Sequence, residues 1–368
     1  MPSLGELQKL GQSVWFDFIR RSLITSGELK ALVAQGVRGV TSNPAIFEKA
    51  IAGTADYDEE IKGLAKTGPS VEALYETLAI KDIQLAADEL APVYRSTAGR
   101  DGYVSLEVSP FLANDTDATA AEAQRLFQAV GRPNLMIKIP ATTAGLPAIT
   151  AGIAAGVNIN VTLIFGLENY KAVAEAYIAG LEQLAVRGPS VRGGHPVNAV
   201  ASVASFFVSR VDTAVDKELG KVGDRDLMGK IGIANCKIAY DEYGRIFNSP
   251  RWSELAARGA RTQRVLWAST STKNPAYPDT LYVDELIGPE TVNTLPPETV
   301  KAFIDHGTAA ETLTRDLEGA RRQIARLAEL GIDFDAVTRR LQVEGVAAFA
   351  KPFQALLDSI AAKLKRLA

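Results

Sequence analysis

Asn158-Ile159-Asn160-Val161-Thr162-Leu163-Ile164-Phe165 places a polar side chain at every second position from 158 to 162 and an apolar one between them. A period of two belongs to a β-strand, whose successive side chains point to opposite faces. In a barrel one face meets the surrounding helices and the other the barrel interior, and both are usually apolar. A strand with Asn158, Asn160 and Thr162 on one side and Ile159, Val161 and Leu163 on the other therefore needs a reason for its polar face.

The stretch spans most of the β-like run Val157–Ile164, and seven similar runs surround it: Ser13–Ile19, Gly36–Asn43, Gly102–Val108, Leu135–Pro140, Val200–Phe207, Val265–Ser271 and Leu281–Ile287. Amphipathic helical stretches separate them. Alternating βα units predict a parallel sheet, and eight of them predict closure into a (β/α)8 TIM barrel. Thr25 and Glu28 form a capping-box pattern, and Ser70 is placed to cap a helix from Val71 to about Val93. A helix following Asp115-Thr116 runs to Val130 and stops at Gly131, and another from about Glu168 ends at Gly188-Pro189. From Pro296 onward the pattern is helical only. Residues 1–295 thus read as the barrel and 296–368 as a helical extension packed on it. An open nucleotide-binding sheet would carry a glycine fingerprint after its first strand, whereas Asp17 is followed by Phe18-Ile19-Arg20-Arg21. Gly223 to Lys230 fails as a phosphate loop because Ile231 stands in the Ser/Thr place.

Composition excludes several chemistries. Forty Lys plus Arg against 43 Asp plus Glu leave a net charge of −3, without the basic surplus a nucleic-acid binder needs. The single cysteine, Cys236, can form no internal disulfide and no cysteine metal cage. The two histidines, His195 and His306, carry no metal-ligand spacing. No cofactor or metal motif is present. Met1 to Arg20 lacks a signal-type apolar core, and no apolar run suits a membrane span, so the expected compartment is the cytoplasm, with no membrane partner.

Asp17, Glu107, Lys138, Asn160 and Thr162 all fall on strand faces that point into one barrel, and all but Asp17 lie near strand C-termini, where such barrels build active sites. A lysine–carboxylate pair closing the barrel floor is the plainer alternative, but it would sit at the opposite strand ends and would not need the remaining polar groups. A lysine amine in a low-dielectric barrel is disfavoured as ammonium. At its ordinary pKa only about one lysine in a thousand is neutral near pH 7; a drop of about 3 units, roughly 4 kcal/mol, makes it a useful nucleophile. A neutral lysine forms a Schiff base with a ketone or aldehyde, and carboxyl groups beside it can move the protons.

Five segments carry a family resemblance. Gly39-Val40-Thr41-Ser42-Asn43-Pro44-Ala45-Ile46-Phe47 resembles the transaldolase signature, and Leu135-Met136-Ile137-Lys138-Ile139-Pro140-Ala141-Thr142 resembles the segment with that family's Schiff-base lysine. Residues 158–165 resemble its fifth strand. Ser269 to Pro275 and Asp279 to Leu286 resemble its longer bacterial subgroup. The resemblance implies a cofactor-free transferase of the pentose phosphate pathway. It moves a dihydroxyacetone unit between sugar phosphates: sedoheptulose 7-phosphate and glyceraldehyde 3-phosphate give erythrose 4-phosphate and fructose 6-phosphate. It further implies that Lys138 forms the imine, that Asp17 takes the C4 hydroxyl proton, and that Glu107 and Thr162 hold a catalytic water. Asn43, Asn160, Ser205, Phe207 and Arg210 would bind substrate, with Arg210 on its phosphate. Lys273, beside Ser271, stands where the family has a second phosphate-binding arginine, and Phe206 stands where Pro is usual. Asn43-Pro44 also reads as a plain turn, Arg210 as a solvated helix residue and Phe207 as core. A simple aldolase releasing free dihydroxyacetone and a non-catalytic sugar-phosphate-binding barrel remain the alternatives. Monomer and homodimer are both compatible.

Overall fold

The structure is a computed structural model that describes residues 2–187 and 196–367. His195 and the expected helix stop at Gly188-Pro189 lie outside the described residues. Eight parallel strands close into a barrel in sequence order: β1 Gln12–Phe16, β2 Val37–Val40, β3 Tyr103–Glu107, β4 Leu135–Pro140, β5 Ile159–Ile164, β6 Ser202–Phe207, β7 Arg264–Ala268 and β8 Thr291–Leu295. β1 seals the barrel against β8, from Gln12 beside Thr291 to Phe16 beside Leu295.

The period of two sorts the strand side chains as expected. Val14, Phe16, Val104, Ile137 and Val161 join the large cluster shared with the helices, while Trp15, Tyr103, Met136, Val203 and Leu266 form a second cluster inside the barrel. Gly39 is required by that filling, since a Cβ there would lie 2.6 Å from the Trp15 indole. The barrel floor does hold a buried ion pair, but it is Arg264 with Asp101 at 2.9 Å, and Ser13 and Trp15 both donate to the same carboxylate.

Three expectations are corrected. Leu281–Ile287 is not a strand: Leu281–Asp284 makes one helical turn, tied by Thr280 Oγ1 to Asp284, and its apolar residues are buried in the helical layer. The eighth strand is Thr291–Leu295 instead. Thr25 and Glu28 do not form a cap; Thr25 ends the helix Arg21–Thr25 with its hydroxyl on the Arg21 carbonyl, and Gly27 at φ 83° starts the next. Leu163 leaves the outer face because the pairing of β5 with β6 shifts register there and its φ is 61°. It packs instead in the inner cluster with Phe165 and Phe207.

Other helix ends follow the sequence. Ser70 caps Val71–Ser96 through Ala73 N, and Asp115 caps Thr116–Val130, which stops at left-handed Gly131. After β8 come helices Pro297–His306, Leu317–Glu329 and Phe334–Leu367. The last, 34 residues long, lies across the β5 end of the barrel. Gln342 donates to the Ala141 carbonyl at 2.8 Å, and Gly345 passes so close to β5 that an added Cβ would sit 3.0 Å from Leu163.

Candidate active site

Lys138 projects from the middle of β4 into the barrel and is 6 % exposed. Its Nζ donates to the Ser42 carbonyl at 3.0 Å and lies 3.2 Å from Glu107 Oε2. β3 runs in register beside β4, with Glu107 next to Lys138, so the pair meets by strand geometry alone. Burial pushes the Glu107 carboxyl above its ordinary range, opposed by the Lys138 charge.

Asp17 follows the last residue of β1 and accepts a 2.6 Å hydrogen bond from Thr41 Oγ1, which comes just after β2. Burial raises its pKa too, while the Thr41 hydrogen bond and the charges of Lys138 and Lys273 pull it down. Two carboxyls of raised proton affinity therefore share one barrel with one buried lysine. Such shifts gather where protons are exchanged.

Across β5 and β6 the polar groups are locked together. Asn160 Nδ2 donates to Ser105 Oγ at 3.1 Å, and Ser205 Oγ donates to Asn160 Oδ1 at 2.7 Å. Thr162 Oγ1 is buried without a hydrogen-bond partner among the described residues, whereas Glu107 Oε2 is the oxygen paired with Lys138. Asn43 is both turn and site residue: its Oδ1 caps the helix Pro44–Ala52 on Ile46 N, and the residue also lines the cavity over Lys138.

That cavity, of about 510 Å³ at the C-terminal mouth of the barrel, brings together Asp17, Asn43, Lys138, Asn160, Thr162, Ser205, Phe207, Arg210, Ser271 and Lys273. Glu107 reaches Lys138 but does not line it. Arg210, on the helix Ser209–Val222, makes no ion pair among the described residues; its guanidinium stacks 5.2 Å from the Phe207 ring and 5.7 Å from Phe349. Phe207 itself tilts against Phe165 at 5.0 Å. Lys273 is exposed at the rim and donates to Ser271 Oγ at 2.6 Å.

Sequence reading missed three contributors. Thr41 orients Asp17, and it stood within a quoted motif. Lys49 adds a further rim cation; its spacing from Ala45 and Ile46 on one helix face was a usable signal. Phe349, whose ring lies 5.7 Å from Lys138 Nζ, comes from the C-terminal helix with no motif to mark it. His306 is at the surface between Asp279 and Asp305, away from the cavity.

A profile of the transaldolase/fructose-6-phosphate aldolase family matches residues 14–360. The chain belongs to that family. It is 49 % identical over 378 residues to the transaldolase of Trichodesmium erythraeum, covering 99 % of this chain and 98 % of the relative. Identity to the transaldolase of Parafrankia sp. is 50 % over 366 residues, and to that of Thermobifida fusca 49 % over 366, each covering 98 % of both chains. In this family member the buried lysine, both carboxyls and the cation rim face the C-terminal end of the barrel, the end such folds use for chemistry; Asp17, expected away from it, directly follows the last residue of β1 and belongs there too.

Proposed function

We propose that this transaldolase transfers a dihydroxyacetone unit from a ketose phosphate to an aldose phosphate as an imine on Lys138. The observation that carries the reading is Lys138 Nζ, buried in the barrel 3.2 Å from the Glu107 carboxylate and open to the mouth cavity. The amine adds to the ketone carbon, and Glu107 supplies the proton that lets the hydroxyl leave as water. The Glu107 carboxyl, paired with Lys138, and Thr162 Oγ1, which has no hydrogen-bond partner among the described residues, have the capacity to hold one water between them. Asp17, oriented by Thr41, takes the C4 hydroxyl proton as the C3–C4 bond breaks, and the electron pair is drawn into the imine. The aldose leaves, another binds, and the steps reverse.

Asn43 and Asn160 hydrogen-bond sugar hydroxyls, with Ser205 holding Asn160 in place. Arg210 receives the phosphate as a charge-assisted pair, with Lys273 and Ser271 at the rim. Lysine there acts as a point charge and lacks the guanidinium fork. In this division residues 1–295 carry the catalytic barrel and 296–368 the helices packed on it, and the chain works as a monomer or homodimer in the cytoplasm. No helix among the described residues is long and apolar enough to cross a membrane.

Fructose 6-phosphate and borohydride are expected to fix a reduced three-carbon adduct on Lys138, read by peptide mass. Labelling of another lysine overturns the reading. With erythrose 4-phosphate present, sedoheptulose 7-phosphate forms; accumulation of free dihydroxyacetone instead would identify a simple aldolase.

A further inference from the structure

Glu107 stands between two cavities. On one side its carboxylate meets Lys138. On the other it forms part of the wall of a second cavity, of about 540 Å³, enclosed by β3, the helices Val71–Ser96 and Thr116–Val130, and the C-terminal helix. The two cavities share no lining residue, and Glu107 lines only the second. The rim of the second is formed by exposed Glu72, Gln354 and Asp358, so it opens to solvent.

The wall is polar where it nears Glu107. Tyr75 lies close enough to Glu107, Glu122 and Glu76 for their charges to add to burial in raising its hydroxyl's pKa. Glu122 is half-buried, accepts from Ser109 N at 3.0 Å, and is itself pushed above the ordinary carboxylate range by burial. The C-terminal helix divides the two spaces. Phe349 covers Lys138 in the first, while Phe353, one turn on, packs against Tyr75 at 5.4 Å in the second.

We propose that this second cavity is a solvent port for Glu107, through which the water of the imine step leaves and a proton returns while a sugar phosphate fills the mouth. The inference rests on the reading of Lys138 as the imine-forming residue. The neutral amine adds to the ketone to give a carbinolamine. Glu107 donates a proton to its hydroxyl, the carbon–oxygen bond breaks, water leaves, and the nitrogen lone pair closes the protonated imine. That leaves Glu107 as a carboxylate with a water beside it, and the mouth is occupied by substrate under Phe349. The cavity behind Glu107 offers hydrogen-bonding groups and an outlet to bulk solvent.

The test uses fructose 6-phosphate carrying oxygen-18 at its C2 carbonyl, in ordinary water. Each imine formation that reverses replaces the label only when the released water has escaped. The ratio of label washout to transfer therefore reads the port, after subtraction of spontaneous exchange. Ala361→Trp and Leu112→Trp each place an indole in the second cavity, on different elements and away from Lys138. The ratio is expected to fall several-fold in both, whereas a purely structural defect lowers washout and transfer together. An unchanged ratio in a folded variant overturns the port. Borohydride trapping on Lys138 in the wild type keeps the two readings apart: its absence defeats the imine itself.

Discussion

Asp17 and Glu107 are two carboxyls raised by burial in one barrel, yet they are constrained differently. Asp17 is aimed by Thr41, whereas Glu107 is paired with the Lys138 amine itself. Asp17→Asn keeps the shape without the base, so imine should form while cleavage slows by about 10²–10⁴-fold, the usual worth of one acid–base group. Intact-mass spectrometry after rapid quench should then show the ketose adduct accumulating. Glu107→Gln should instead delay that adduct; the opposite pattern would exchange the two roles. Arg210→Ala should raise KM for phosphorylated donors roughly tenfold to a hundredfold, from about 1.5–3 kcal/mol for a hydrogen bond to a charged group. Imine formation with small unphosphorylated ketones should be spared, and equal loss on both would make Arg210 structural. At this scale the sequence was legible because charge on a strand face is costly and rare. Phe349 was illegible because an aromatic at helical spacing looks the same whether it meets core or a buried amine.

The helix Ser209–Val222 presents Arg210 to the mouth cavity and buries Asp212, which accepts from Gly232 N. Burial pushes the Asp212 carboxyl up to about 6 from 3.8. The folded chain thus binds a proton there that the unfolded chain releases, between about pH 4 and 6. Folding stability contributed by this group is greatest below that window and falls as pH rises through it, by about 3 kcal/mol. Asp212→Asn should flatten this part of the urea midpoint against pH; an unchanged profile would show another group responsible. Elements also show where reading by period fails. Thr291 and Asn293 of β8 sit in register with outward-facing Gln12 and Val14, and Val292 faces in, so the strand has polar residues where a buried barrel strand is expected to be apolar. The neighbouring run Leu281–Ile287 looks more strand-like, yet its Tyr282, Val283 and Leu286 are buried by a helical turn. The β5 bulge at Leu163 was equally invisible, because it depends on pairing with β6 rather than on local propensity.

Over the whole molecule the barrel separates stability from chemistry along its axis. The floor pair Arg264–Asp101 is buried and fully engaged, with Ser13 and Trp15 on the same carboxylate. The mouth instead keeps the Thr162 hydroxyl without a hydrogen-bond partner among the described residues. Asp101→Asn should cost about 3–5 kcal/mol by stranding a buried guanidinium. Chemical denaturation should show the loss, while kcat of the folded fraction stays near wild type; a collapse of kcat in folded protein would break the separation. The eightfold alternation made this plan readable, but not the course of the last helix, since helical periodicity states which face is apolar and not what it covers.

The seam between β1 and β8 joins residues near 14 to residues near 293, and Phe349 reaches Lys138 from farther still. A ribosome releases these partners in order, so the first strand must wait with one edge unpaired until most of the chain has been synthesised. Contacts of such sequence separation form slowly and expose edges meanwhile. Every nascent chain short of Phe349 lacks the ring over its lysine. The chamber over Lys138 therefore closes only once the helix Phe334–Leu367 has followed, long after the strand that carries the lysine.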